Sequence, residues 1–289
     1  MNLLKIQGLG KLFSGLCLLG TAVLGLGMTK AEAVSTDSLQ VYILKVGKAD
    51  AIVLLQGEKC MVIDAGEEDD GKEVVEFLQK NQVSRVDTLI ITHFDQDHVG
   101  GADSLIHAME VGEVLLPDYE GVSLEYADLL LAMKEKGMEA VWVRENLSFS
   151  FGDARVMVEP PLSYEILDPS IEYDNDFSLI TTVVHGSNRL LFTGDIEKQR
   201  IRQWLETEGD KTCDFLKFPH HGVYNSALDE LLDATCPRHT VICDSAKNPA
   251  EAKTLDLIAS RGIDVRETKD GRVTVISDGS GLTVEQKLK

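Results

Sequence analysis

Basic residues are scarce in this chain: 28 lysines and arginines stand against 48 aspartates and glutamates, a formal net charge of −20. They also never cluster, which argues against an extended phosphate-tracking face, because lysine and arginine contacts to phosphate supply most nucleic-acid affinity. Cysteine is thin as well. Five in 289 residues, at spacings that match no small-domain framework, argue against a disulfide scaffold and leave free or buried thiols as the plain reading. No repeat of solenoid length recurs, and no Pro-, Gln- or Ser-rich tract appears, which speaks against repeat architectures and disordered tails. What remains is ordinary globular composition, 44% hydrophobic and 26% charged, with length enough for one large core or two smaller ones.

One long uncharged run does occur, Leu12 to Thr29, preceded by Lys5 and Lys11 and followed by Lys30 and Ala31-Glu32-Ala33. This is the pattern of a secretory signal over residues 1–33, cleaved after Ala33, with a mature domain over 34–289. A retained membrane anchor is the other reading, since the run is just long enough to cross a bilayer. In both, the positive flank stays inside and the domain faces outward. Lipoprotein processing is disfavoured by the bulky Leu16 before Cys17. Cleavage would remove Lys5, Lys11, Lys30 and Glu32, leaving 25 basic and 47 acidic residues, a net charge of −22.

Apolar runs mark the elements. Residues 39–46, 51–56 and 59–63, broken at Gly47 and Gly57, read as an antiparallel meander. Helical spacing then alternates with strand-like runs: helices over 72–80, 101–109 and 124–136, strands over 86–91, 114–116, 140–143 and 154–158. The second half repeats the theme. It has a hairpin of 178–185 and 189–193, helices over 197–208, 227–234 and 250–261, and strands over 215–218, 240–243, 265–267, 272–277 and 281–286. Two similar halves, each a mixed sheet covered by helices with no linker between them, predict one α/β (α+β) domain built as a four-layer αββα sandwich.

Four apolar strands end in metal-ligand residue types. Met61-Val62-Ile63 runs into Asp64, Leu89 to Thr92 into His93, Leu190 to Thr193 into Gly194-Asp195, and Phe215 to Phe218 toward His220-His221. Ligand sites of α/β sheets lie beyond the carboxyl ends of strands. Of the seven histidines, only His107, His185 and His239 fall away from these ends, and they read as packed or solvated. The densest segment is His93-Phe94-Asp95-Gln96-Asp97-His98, two imidazoles and two carboxylates in one strand-to-helix loop. That mixture of nitrogen and oxygen donors suits a divalent cation, and without one the carboxylates would repel each other. The acidic run Glu67-Glu68-Asp69-Asp70 reads as a solvated loop.

This segment resembles the H-x-H-x-D-H signature of the metallo-β-lactamase superfamily, in the H-x-D-x-D-H form of the hydrolase domain of ComEC-type competence proteins. Further matches follow in order over nearly the whole chain after residue 33: 46–51, 62–66, 175–179, Phe192-Thr193-Gly194-Asp195 and Leu216 to Gly222. The resemblance implies one metal held by Asp97, His98 and either His220 or His221, with Asp195 bridging to a second metal at His93 and Asp95. Asp95 stands where the family has histidine, and Asp174 or Asn175 lies nearest a second absent histidine, so one or two ions, zinc or manganese, are expected. The hard carboxylate of Asp95 favours manganese or magnesium over zinc.

A divalent ion brings water to its hydroxide form near neutral pH, so no protein nucleophile is needed for attack on phosphorus or a carbonyl. Asp97 and Asp195 would orient that attack, Asp50 and Asp64 would fix histidines or order loops, and Asn175, Ser178, Tyr224 and Ser226 would hydrogen-bond substrate oxygens. The resemblance points to a secreted phosphodiesterase or nuclease acting on a small anionic substrate, without tight extended nucleic-acid binding and with membrane contact only through a retained N-terminal segment. A lactam, lactone or thioester hydrolase and a non-catalytic metal-binding scaffold are the alternatives.

Overall fold

The computed structural model describes residues 38–165 and 173–288. The expected signal or anchor over residues 1–33 lies outside them. Among the described residues no helix is long and apolar enough to cross a membrane, and Ser35–Lys289 forms a compact unit of its own.

The meander is β1 (Leu39–Ile43), β2 (Ala51–Gln56) and β3 (Lys59–Ala65), antiparallel throughout. There follow α1 (Gly71–Lys80), β4 (Arg85–Ile90), α2 (Gln96–Val99), α3 (Ala102–Ala108), β5 (Glu110–Pro117), α4 (Leu124–Glu135), β6 (Ala140–Val143), β7 (Leu147–Phe151) and β8 (Ala154–Glu159). The second half runs β9 (Ile180–His185), β10 (Asn188–Phe192), α5 (Lys198–Leu205), β11 (Phe215–Lys217), α6 (Leu228–Thr235), β12 (His239–Ile242), α7 (Ala252–Ser260), β13 (Asp264–Glu267), β14 (Gly271–Ser277) and β15 (Leu282–Leu288). The acidic run forms an exposed 3₁₀ turn at Glu68–Asp70 leading into α1.

One sheet has the order β15-β14-β1-β2-β3-β4-β5-β6 and the other β13-β12-β11-β10-β9-β8-β7. Each is parallel at one end and antiparallel at the other. The expected halves therefore exchange strands: the β7–β8 hairpin leaves the first half and pairs antiparallel with β9 through β8, while the β14–β15 hairpin returns to pair with β1 through β14. Strand β7 was not expected. Its alternation Leu147, Phe149, Phe151 against Ser148 and Ser150 is a period-2 signal confined to five residues.

Period-2 alternation also builds the layers. In β3, Met61 and Ile63 point into the core between the sheets, while Cys60 and Val62 point outward beneath α1, α3 and α4. The second sheet mirrors this, with Phe192 and Phe215 facing the first sheet and Leu191 and Leu216 facing α5, α6 and α7. Three apolar cores thus separate four layers, the αββα sandwich. Both parallel ends abut the same loop region, because β3, β4, β10 and β11 all stop there.

Gly101 marks how tightly that region is closed. A Cβ at this position would lie 2.3 Å from Ala65 O and 2.6 Å from the Gly71 backbone. Gly101→Ala is expected to destabilise the fold by about 1–3 kcal/mol, the usual cost of overpacking. Urea unfolding checks it, and an unchanged midpoint would show that the contact relaxes freely.

Candidate metal centre

The four strand ends converge. Beyond β4 the chain leaves the sheet through Thr92-His93 and turns at Asp95, the N-cap of α2, so that Asp97 and His98 sit on the first helical turn. After β10, Gly194 takes φ +56° and delivers Asp195 to the sheet edge. Its backbone there approaches Ser178 and Thr92 so closely that a Cβ would fall 2.8 Å from the Ser178 hydroxyl. Beyond β11, His220 and His221 both adopt left-handed backbone, φ 44° and 49°, and Asp64 does so at 58°. Each such non-glycine position costs on the order of 1–3 kcal/mol, strain that packing must hold in place.

The histidines are held from behind. His98 Nδ1 donates to Asp64 Oδ2 at 2.8 Å, and Asp64 is itself fixed by the Thr92 amide and hydroxyl, both at 2.8 Å. His221 Nδ1 donates to the Cys243 carbonyl at 2.8 Å. His93 Nδ1 lies 3.0 Å from the Thr92 hydroxyl and 3.3 Å from that of Ser178. With each Nδ1 engaged, the opposite nitrogen faces the centre. The Nε2 atoms of His93, His98 and His221 are buried and make no hydrogen bond, and Asp50 Oδ1 is buried in the same condition. Orphaned buried polar atoms carry a desolvation cost that a bound ion removes.

Asp195 is the hub. Its Oδ2 lies 2.9 Å from His221 Nε2 and 3.3 Å from His98 Nε2. Asp97 Oδ2 lies 3.2 Å from His221 Nε2, and Asp95 Oδ2 lies 3.5 Å from His93 Nε2. Asp50, His98, Asp195 and His221 each offer a ligand atom within 4.8 Å of the others, all four buried. These residues fit a divalent cation: buried imidazole nitrogens and carboxylate oxygens brought within ligand reach of one another. Burial opposes charge on Asp195, but His221, Lys217 and His98 hold its carboxyl well below the usual carboxylate range. Burial likewise works against protonated His221, yet Asp195 beside it pushes the imidazole up to about 9. A cation takes the place of that proton when it binds.

Of the expected donors, His93, Asp95, Asp97, His98, Asp195 and His221 are gathered here, and His220 is not. Its Nδ1 turns away to Glu197 Oε1 at 3.0 Å, where Asn175 Nδ2 also donates at 3.3 Å. Ser178, expected to meet substrate, is instead fully buried, and its hydroxyl accepts from the Asp195 amide at 3.1 Å. Tyr224 packs under Lys253, whose Nζ lies 3.6 Å from the ring centre. Ser226 is exposed before α6, where Asn225 rather than Ser226 accepts from the Ala227 amide. The remaining histidines pair elsewhere, His107 with Glu135, His185 with Ser277 and His239 with Asp264.

Lys217 was missed. It is fully buried between Asp50 and Asp195, and the signal was present: a lysine inside the apolar strand Phe215 to Phe218 cannot stay buried without a charged partner. Asp64→Asn is expected to weaken metal binding about 10–100-fold, the scale of losing a residue that orients a ligand. Chelator competition measures it, and unchanged affinity would separate Asp64 from the site.

Residues 44–243, which include the whole cluster, match the family model of the metallo-beta-lactamase superfamily. The chain belongs to that superfamily. It has the fold of that superfamily, most of whose members are metal-dependent hydrolases, together with a candidate divalent-metal site at Asp50, His98, Asp195 and His221. ComE operon protein 3 of Bacillus subtilis is 30% identical over 203 residues, covering 68% of this chain and 25% of the relative. Recombination protein 2 of Haemophilus influenzae is 26% identical over 241 residues, 81% of this chain and 28% of the relative. The chain thus spans about a quarter of the length of these relatives. The metallo-beta-lactamase fold protein YhfI from Bacillus subtilis superposes with a TM-score of 0.57 at 9% identity, over 83% of this chain and 100% of that one.

Proposed function

We propose that the chain is an exported metal-dependent phosphodiesterase acting on small or short anionic substrates. The observation that carries the metal chemistry is the gathering of three buried Nε2 atoms without a hydrogen-bond partner, those of His98 and His221 facing Asp195 and Asp97 and that of His93 facing Asp95. The phosphodiester assignment is supported by similarity to a relative named for recombination and by the H-x-D-x-D-H form of the loop, which resembles that of competence hydrolase domains.

A bound divalent ion, zinc or manganese, supplies Lewis acidity and activates water. His98, His221, Asp97 and Asp195 would hold one ion, and His93 and Asp95, with Asp195 shared, a second. The partly exposed Asp97 and the buried Asp195 would orient the attacking water. Asp64, Thr92 and Ser178 keep the imidazoles and Asp195 in register. The Asn175 amide, whose Nδ2 here donates to Glu197, and the Tyr224 hydroxyl are the donors offered to substrate oxygens.

The acidic balance of the chain sets the substrate size. With 48 acidic against 28 basic residues, the ions supply nearly all local positive charge, and a long polyanion gains nothing from the surrounding surface. Metal-loaded protein should hydrolyse dinucleotides and small aryl phosphodiesters about as well, per bond, as long DNA. Turnover of a lactam or thioester alone would overturn the phosphodiester reading, and metal binding without turnover of any of these would make the chain a scaffold. With metals chelated, submicromolar DNA affinity and a steep salt slope would contradict the size argument. Export is tested by N-terminal sequencing of secreted protein, expected to begin at Val34; a chain retaining residues 12–29 would show an anchor.

A further inference from the structure

Lys217 occupies the middle of the donor cluster without being a ligand. It ends β11, is fully buried, and points its ammonium at three acceptors: the Gly194 carbonyl at 3.0 Å, Asp195 Oδ1 at 3.1 Å, and Asp50 Oδ2, with which it forms an ion pair. An ammonium has three N–H groups, and these three contacts use them all. The consequence for Asp195 is a division of labour between its oxygens. Oδ1 belongs to Lys217, and Oδ2 alone faces His98 Nε2 and His221 Nε2. Asp50 is divided in the same way, with Oδ2 on Lys217 and Oδ1 left unbonded.

We infer that Lys217 is a positioning residue of the metal site, a fixed internal cation that limits Asp195 to one-oxygen ligation and holds Asp50 back from the ion. The inference rests on the metal-site reading above and not on the identity of the substrate. Two buried carboxylates beside one ammonium leave a net charge of −1. Without the ammonium the same two carboxylates would turn both charges on the ion. Each anionic ligand added to a cation strengthens binding and weakens its pull on water, so Lys217 trades affinity for acidity. Unpaired, the two carboxylates would also be costly to bury in the metal-free protein, and a metal would then relieve more of that cost than it does beside Lys217.

The signature is opposite to that of a residue that merely packs, whose loss lowers metal-free and metal-bound stability together. Thermal midpoints with and without saturating manganese or zinc, and dissociation constants from chelator competition, are to be measured on wild type, Lys217→Met, Lys217→Arg and the double variant Lys217→Met/Asp50→Asn. Lys217→Met should lower the metal-free midpoint, enlarge the metal-induced rise in midpoint, and tighten metal binding by about tenfold or more. Lys217→Arg should stay nearer wild type, and the double variant should bind metal within about threefold of wild type because the pair is removed together. Equal metal-induced shifts in wild type and Lys217→Met, or weaker binding in Lys217→Met, would overturn the inference. Should Lys217→Met fail to fold without metal, the double variant decides, and a loss of affinity beyond about tenfold there would overturn it. Failure of wild type itself to bind metal would instead remove the site reading, a distinct outcome.

Discussion

Asp195→Asn will remove turnover while leaving unfolding cooperative. The substitution preserves volume, and the amide oxygen can still accept from Lys217, which holds Oδ1 at 3.1 Å. What changes is the other atom. Oδ2, now 2.9 Å from His221 Nε2 and 3.3 Å from His98 Nε2, becomes an NH₂ group that offers hydrogens to the place where a cation should sit. The loss should exceed about a hundredfold, the upper scale for residues that only support a ligand. It is read as initial rate on a phosphodiester at matched metal content, beside a urea unfolding curve. Full activity in that variant would remove Asp195 from its role as the shared carboxylate.

His221→Ala and His220→Ala should part company. The two residues are neighbours in sequence with the same left-handed backbone, yet only His221 turns Nε2 into the cluster while its Nδ1 is tied to the Cys243 carbonyl. Removing His221 takes away a ligand, and metal affinity should drop by more than about a hundredfold, beyond the range seen for supporting residues. Removing His220 breaks the contact with Glu197 and should leave metal affinity within about threefold of wild type. Titration of both variants with a fluorescent zinc or manganese competitor checks this, and equal losses would mean that both imidazoles reach the ion.

That contrast shows where sequence reasoning ends. The loop His93 to His98 was legible because its donors are local: a strand end, a tight turn and one helical turn bring them together whatever the rest of the chain does. The layers were legible because alternation in strands such as β3 declares two buried faces. Choice between His220 and His221 was not, since it depends on two consecutive positive φ angles and on a carbonyl from β12's far end. Ser178 looked like a substrate contact from its motif, but the 3₁₀ turn at Asn175–Phe177 rotates it inward under Asp195. The exchange of β7–β8 and β14–β15 between the halves is likewise a matter of pairing partners far apart in sequence, which no local pattern records.

Anomalous diffraction from crystals soaked in manganese or zinc tests the central claim most directly, because it locates the ion without assuming a substrate. The account requires a peak at bonding distance, roughly 2.0–2.2 Å for zinc, from the Nε2 atoms of His98 and His221 and from Asp195 Oδ2, with Lys217 still on Oδ1. A second peak beside His93 and Asp95 would report the second ion. Strong peaks confined to surface carboxylates, with the three Nε2 atoms still unbonded at saturating metal, would contradict it.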